Sequence, residues 1–386
     1  MSLLLERLEI KHPIFLAPMA GVSTPELAAE VSNQGGLGSL GLGANTAETA
    51  RSQILKTQAL TEQPFQVNFF CHQSVELDPT VAQTWIDFVR PYFEQYDAEP
   101  PTQLHCIYPS FLDNDDFLNV VLETRPKAVS FHFGIPHPHQ IQALKDAGIL
   151  TMVSATNLAE ARAIEAAGID FIIAQGIEAG GHRGIFNEHF DSAIRTIDLV
   201  QLLTQHCRCP IIAAGGIMNG TQAQQMLSLG ASAVQLGTAF VQCKTSNAND
   251  AYRHALFHEH ITQISASISG RPARGLLGHW HTQIDLPNRP AVAAYPYCYD
   301  LGKQLHAAAT KQGDQGFGAF WAGTNVFQIR AMEAPDLINQ LWLKCNKSVI
   351  KSYYSLKAPQ MELYLFGFQQ IDLFNLYVIH GFTMYE

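Results

Sequence analysis

The sequence predicts an α/β protein: a closed (β/α)8 TIM barrel with an added lid or substrate region after the last barrel strand. Three observations carry this. Short apolar and β-branched runs alternate with longer amphipathic segments as far as about residue 258, the rhythm of βαβ units on a parallel sheet. Eight such runs are present, the strand count of a closed barrel. An open, doubly wound sheet is the runner-up, but its nucleotide fingerprint G-x-G-x-x-G is missing after the first run, where Ala17-Pro18-Met19-Ala20-Gly21 stands instead.

In chain order the runs are IFLAPMA (14–20), LGSLGL (37–42), FQVNFFC (65–71), AVSFHF (128–133), LTMVSA (150–155), DFIIAQ (170–175), PIIAAGG (210–216) and AVQLGTAF (233–240). Each is short and largely apolar, as strands buried in a parallel sheet are. Helices are expected between them near 24–34, 46–59, 79–95, 112–124, 137–147, 157–167, 191–206 and 219–229, with a last one near 249–258. The barrel therefore occupies residues 1–258. Gly270-Arg-Pro-Ala-Arg-Gly275 and a Pro-rich turn at 287–296 break the rhythm, so 259–343 reads as an inserted region packed on the barrel. Residues 344–386 are rich in Tyr, Phe and Leu without a clear period, and form a C-terminal extension.

Composition narrows the function classes. Of 386 residues 47% are hydrophobic and only 15% charged, enough for a large core and unlike a disordered chain. A formal charge of −10 with no cluster of Lys and Arg argues against nucleic acid as a partner. The opening MSLLLERLEIKHP lacks a basic segment followed by a signal-peptide core, so no membrane association is expected and the cytoplasm is the expected compartment. The seven cysteines are scattered, as suits a reducing compartment, and Cys207-Arg-Cys209 is too tightly spaced for the usual zinc or redox pair. No metal is expected. A monomer or a homodimer is.

In a barrel of this kind the chemistry gathers at the C-terminal ends of the strands. The seventh end, AAGGIMNG with Gly215 and Gly216, and the eighth, QLGT with Gly237 and Thr238, let the main chain approach an anion closely where such barrels commonly seat a phosphate. Gln66, Asn68, Gln175 and Gln235 are neutral amides near other strand ends, able to donate and accept along the edge of a heteroaromatic ring. Ala17, Pro18 and Met19 offer a small apolar platform. Together these point to flavin mononucleotide (FMN) rather than a sugar phosphate. In QGIEAGGHRG (175–184) Gly180 and Gly181 bring backbone close to that ligand, and His182 presents a side chain that titrates near neutrality. Glu178 orients a neighbour or serves the structure. His132, in SFHFG, is the second catalytic candidate; strand alternation points it into the barrel mouth or away with equal ease. His137 and His139 are expected to face solvent.

These segments, APMAGVSTPELAAEVSNQGGLGSLG, VSFHFG, QGIEAGGHRG, AAGGI and QLGTAF, resemble the nitronate monooxygenases, formerly called 2-nitropropane dioxygenases, of the bacterial class I type, over about residues 5 to 335. The resemblance implies a TIM barrel with non-covalent FMN. It implies oxidation of alkyl nitronates, notably propionate 3-nitronate, by dioxygen through a flavin semiquinone, detoxifying nitro compounds without reduced nicotinamide. It also implies that the AAGGI glycines and the Gly-Thr of QLGT hold the FMN phosphate and that His182 serves the substrate. A family pattern Tyr-x3-Tyr-x3-Lys falls on Tyr295, Tyr299 and Lys303. With Pro296 in the first turn of a helix, these three would share one face, two phenols and an ammonium able to receive a small anion. One departure stands out: Thr324 follows Trp321-Ala-Gly323, where the family commonly has Gln. Two other readings stay open, an FMN-dependent NADH:quinone or enoyl-thioester reductase on the same barrel and a non-catalytic flavin- or phosphate-binding protein.

Overall fold

The structure, a computed structural model, describes residues 3–345; the expected C-terminal extension lies outside the described residues beyond Cys345. Its strands in chain order are β1 Ile14–Leu16, β2 Gly38–Gly41, β3 Phe65–Phe70, β4 Ala128–His132, β5 Leu150–Ala155, β6 Phe171–Gln175, β7 Gly181–His182, β8 Ile211–Ala214, β9 Ala233–Leu236, β10 Thr262–Ser265 and β11 Ala273–Leu276. The helices are α1 Leu3–Leu8, α2 Pro25–Asn33, α3 Ala47–Leu60, α4 Pro79–Glu94, α5 Asp116–Thr124, α6 Pro138–Asp146, α7 Leu158–Ala166, α8 Thr196–His206, α9 Gly220–Ser228, α10 Asp250–His258, α11 Tyr297–Lys311 and α12 Ala334–Cys345.

Eight strands form one parallel sheet in the order β1-β9-β8-β6-β5-β4-β3-β2. Its two edges meet at a parallel bridge between Phe15 and Leu37, where Leu16 N–H donates to the Leu37 carbonyl and Leu37 N–H to that of Ile14, each at 3.0 Å. An open sheet would leave this edge unpaired, so the closed barrel holds. Alternation divides every strand. Val67, Phe69, Val129, Phe131, Val153, Ile172 and Ala174 face the helices in the main apolar core. Phe15, Leu37, Ala128, Met152, Phe171, Ile212 and Ala233 fill the interior, stoppered by Leu4 and Leu8 of α1. Arg7 pairs with Asp170 and Lys127 with Glu9 at the strand starts, so α1 closes the N-terminal end and leaves the C-terminal mouth for function.

The helix starts follow local chemistry. Thr24 and Asp78 cap α2 and α4, each followed by proline, and Asn219 caps α9 through bonds to the Thr221 and Gln222 amides. Several expected bounds shift. The strand expected over 14–20 ends at Leu16, and that over 233–240 ends at Leu236 before a 3-10 turn, Thr238–Phe240. The helix expected from 191 begins at Thr196, because the Asp191 carboxylate is taken by Arg183 and by the Ala193 amide.

After α10, β10 and β11 pair antiparallel, and β11 also pairs with β7, so Ala273 lies opposite His182. α11 packs on α4 through Leu301 and Leu305 against the core of Trp85, Ile86 and Val89. α12 returns to the barrel wall beside α2 and α9, its Leu337, Ile338 and Leu341 in the main core. One expectation is corrected: Tyr295 does not belong to the helix. The Tyr295–Pro296 peptide is cis and α11 starts at Tyr297, so only Tyr299 and Lys303 share the helical face. No helix among the described residues is long and apolar enough to cross a membrane.

Candidate active site

A deep cavity opens at the C-terminal mouth. Its wall includes Ala17, Pro18, Met19, Asn68, His132, Gln175, Gly180, Gly181, His182, Gly215, Gly216, Gln235, Gly237, Thr238 and Tyr299, so most of the sequence candidates converge on one space. Three do not line it. Gln66 lies one layer deeper, fully buried, with Nε2 3.5 Å from Gln235 Oε1 and its own Oε1 without a partner. Tyr295 is buried beside the wall, its hydroxyl also unpartnered. Lys303 faces an adjoining outer chamber that shares Tyr108, Tyr252, Tyr299 and Trp321 with the inner one.

The loop after β6 answers what each polar residue of QGIEAGGHRG does. Gln175 Nε2 donates to the His182 carbonyl at 3.0 Å, and its Oε1 accepts from Arg183 Nη1 at 2.9 Å and the Gly184 amide at 2.7 Å. Its amide is thus spent on holding the loop. Arg183 is fully buried and paired with Asp191, Nε to Oδ2 at 2.7 Å. Glu178 is structural: its Oε2 accepts from the amide and hydroxyl of Thr196, both at 2.7 Å, at the start of α8. A carboxylate at that end is favoured by the helix dipole. Gly180 is required by a close approach, since a Cβ there would sit 2.6 Å from the carbonyl carbon of Ala322 and the nitrogen of Gly323. Gly216 needs its freedom for another reason, a φ of +68°.

The two histidines differ. Strand alternation turns His132 inward. Its Nε2 lies 3.1 Å from the His182 carbonyl, which can only accept, so Nε2 carries the proton and Nδ1 accepts from Ser154 Oγ at 3.0 Å. Both nitrogens are therefore occupied by protein. For His182, Nε2 lies 2.9 Å from Ser269 Oγ, and that hydroxyl donates to the Arg271 carbonyl at 3.1 Å. Ser269 must accept from His182, which places the His182 proton on Nε2 and leaves the Nδ1 lone pair without a protein partner. Burial, then the neighbouring His132, Arg271 and His72, pushes the His182 pKa down to about 3. Burial likewise holds His132 at about 4. Both rings are neutral at pH 7.

Around His182 stand Trp321 (ring centroids 5.4 Å apart), Phe133 (5.6 Å), Tyr295 (5.7 Å) and Tyr299 (6.1 Å). Burial raises the pKa of Tyr299 to about 12 and that of Tyr108 further, so both phenols keep their protons as donors. Lys303 Nζ lies 4.9 Å from the centre of the Tyr108 ring and 5.5 Å from that of Tyr299. Among the described residues no carboxylate pairs with it, and burial lowers its pKa.

At the opposite end, the backbone N–H groups of Gly216, Ile217, Gly237 and Thr238 find no acceptor among the described residues. The segment 321–325 braces this region: Gly323 N–H donates to Thr238 Oγ1 at 3.1 Å, Thr324 N–H to the Glu178 carbonyl at 3.1 Å and Asn325 Nδ2 to the Gly216 carbonyl at 2.6 Å. Thr324 thus acts through its backbone N–H, which any residue but proline could supply. Sequence reading missed Tyr108, Ser154, Tyr252 and Ser269. Tyr108 and Ser269 come from loops, Ser154 from the end of β5 and Tyr252 from α10; the closed fold places each, and none carries a motif of its own. His137 and His139 are exposed, as expected.

Residues 1–344 match the family model described as nitronate monooxygenase. The chain is 49% identical over 349 residues to a nitronate monooxygenase of Paraburkholderia phytofirmans, covering 90% of this chain and 95% of the relative. It is 47% identical to one of Pseudomonas aeruginosa, covering 86% and 96%. Among solved structures it is similar to nitroalkane oxidase from Streptomyces ansochromogenes, with a TM-score of 0.82, 35% identity and coverage of 91% of this chain and 99% of that one. FabK from Thermotoga maritima follows at a TM-score of 0.68 and 27% identity, covering 92% and 98%.

Proposed function

The chain belongs to the nitronate monooxygenase family, and from that premise we propose that it oxidises alkyl nitronates, propionate 3-nitronate foremost, with dioxygen on a bound FMN. The observation that carries this reading is a neutral histidine, His182, with a free Nδ1 in the wall of a barrel-mouth cavity ringed by protonated phenols. With its free cysteines, the protein suits a reducing cytoplasm.

The donor set fits FMN. Four unspent N–H groups at Gly216, Ile217, Gly237 and Thr238 match a phosphate's acceptor oxygens. Ala17, Pro18 and Met19 supply the apolar platform, and Asn68 and Gln235 retain amide atoms for a ring edge; Asn68 commits its Nδ2 to Ser130. Gln66, whose buried Oε1 lacks a partner, supports that floor from below. When bound, FMN supplies the one-electron chemistry with nitronate and dioxygen.

The protein positions charge and moves protons. A nitronate is already deprotonated, so His182 is not required as a base for it, and Tyr108 and Tyr299 donate hydrogen bonds to the anion. With a neutral nitroalkane, His182 Nδ1 accepts the α-proton. His132 is a positioning residue, fixing the His182 backbone through its carbonyl. Lys303, in the outer chamber, receives the carboxylate of propionate 3-nitronate.

Oxygen uptake and nitrite release by the FMN-loaded protein test the reading. Turnover of propionate 3-nitronate without NADH is expected. NADH oxidation with no nitronate turnover would place the chain with the reductases, and bound flavin with neither activity would make it a binding protein.

A further inference from the structure

We propose that Arg271 is a positioning residue that keeps His182 a neutral imidazole with its lone pair on Nδ1, by holding a loosely balanced positive charge against the Phe133 ring that meets His182 and by presenting the carbonyl that orients Ser269. The proposal rests on the reading of His182 as the base toward neutral nitroalkanes.

Arg271 is 4% exposed, an uncommon place for a guanidinium unless something requires it. Its Cζ lies 4.4 Å from the centre of the Phe133 ring, and that ring meets His182 edge-on at 5.6 Å. Nη2 donates to the Ile185 carbonyl at 2.9 Å, Nε has no partner, and the nearest carboxylate, Glu188, stands 3.8 Å from Nη1. The charge is thus fixed in place and only loosely balanced. The Arg271 carbonyl accepts the Ser269 hydroxyl, and this forces Ser269 to accept from His182 Nε2. The next two residues continue the hold: the Pro272 carbonyl accepts Arg183 N–H at 2.8 Å and Ala273 pairs with His182.

Among the described residues no group facing His182 offsets that charge. From β4 comes His132, whose Nε2 proton goes to the His182 carbonyl. From the segment after β3 comes His72, buried with both nitrogens unpartnered. Tyr295 and Tyr299 face the ring from the start of the α11 region, both as protonated phenols, and Trp321 closes the remaining side. Among the described residues no Asp or Glu is bonded to His182. The carboxylate that commonly orients a histidine base and raises its basicity is replaced by a serine and a buried cation.

Two readouts on the FMN-loaded enzyme test this, each with Arg271→Met, which keeps the apolar stem, and Arg271→Lys, which keeps the charge. The first is a titration of 15N-labelled histidine side chains by NMR, with His182 assigned by its loss in His182→Asn. Wild type is expected to hold the neutral Nε2–H form to the acid limit of its folded range. In Arg271→Met the midpoint should rise by at least one pH unit, a tenfold change, with Arg271→Lys close to wild type. Should Arg271→Met not fold, Arg271→Gln reads the same quantity while keeping a donor for the Ile185 carbonyl. An unchanged His182 titration in the neutral variant overturns the proposal. The second readout is the acid limb of kcat/KM for nitroethane, which should move with the NMR midpoint. A shifted midpoint with an unmoved acid limb upholds the role of Arg271 and removes His182 as the base.

Discussion

The residues divide by what their nitrogens and oxygens are already doing. His132 and Gln175 are committed to the His182 carbonyl, whereas His182 keeps Nδ1 free. His182→Asn should therefore lower turnover of neutral nitroethane by about 10² to 10⁴-fold, the usual loss on removing a general base. It should affect ethylnitronate far less, and steady-state oxygen uptake with the two substrates measures the difference. Lys303 makes a separate prediction. Lys303→Met should raise KM for propionate 3-nitronate about tenfold or more, the loss of one charge-assisted bond, while leaving KM for ethylnitronate nearly unchanged. The sequence made both histidines visible through their place at strand ends. It could not show their tautomers, because the partner that fixes His182 is Ser269, 87 residues away. The amide of Gln175 was legible as a polar strand end but not as a loop anchor, since its partners Arg183 and Gly184 lie beyond a turn whose path the sequence does not specify.

At the scale of elements, the eight barrel strands were readable because each is a short apolar run with helical spacing on either side. Their C-terminal bounds were less so, since Ala17 to Ala20 and Gly237 onward are apolar enough to continue a strand yet leave the sheet to build the mouth. The Tyr-x3-Tyr-x3-Lys spacing suggested a single helical face, but α11 starts at Tyr297 and leaves Tyr295 outside it. The glycine pair at 180–181 invited a cofactor reading, but Gly180 is needed first for the segment at Ala322 and Gly323. Gly180→Ala would force that segment away from Thr238 and Gly216. A loss of about 1–3 kcal/mol is expected from such overpacking, with weakened FMN retention, read by thermal unfolding and by release of flavin fluorescence.

Across the whole molecule, closure of the barrel brings together residues from β3, β4, β5, β6, β8 and β9 with the segment after β9; it sets His132 and His182 in the cavity wall and buries His72 against Phe133 and Tyr295. His72 and His132 are held near pKa 4 and His182 near 3, burial being the largest cause in each. Each is protonated in the unfolded chain below about pH 6.5 but stays neutral in the folded one. The unfolded state then binds more protons, so stability falls as pH drops from about 6.5 toward 4. Chemical denaturation across that range should show a falling midpoint, with a shallower fall in His72→Asn. The oxidation of nitronates rests on the same convergence of residues. The most direct test is anaerobic absorbance of the FMN-loaded protein before and after propionate 3-nitronate, with NADH added in parallel. A change of the flavin spectrum with nitronate and none with NADH is predicted; bleaching by NADH alone, with no response to nitronate, would contradict the assignment.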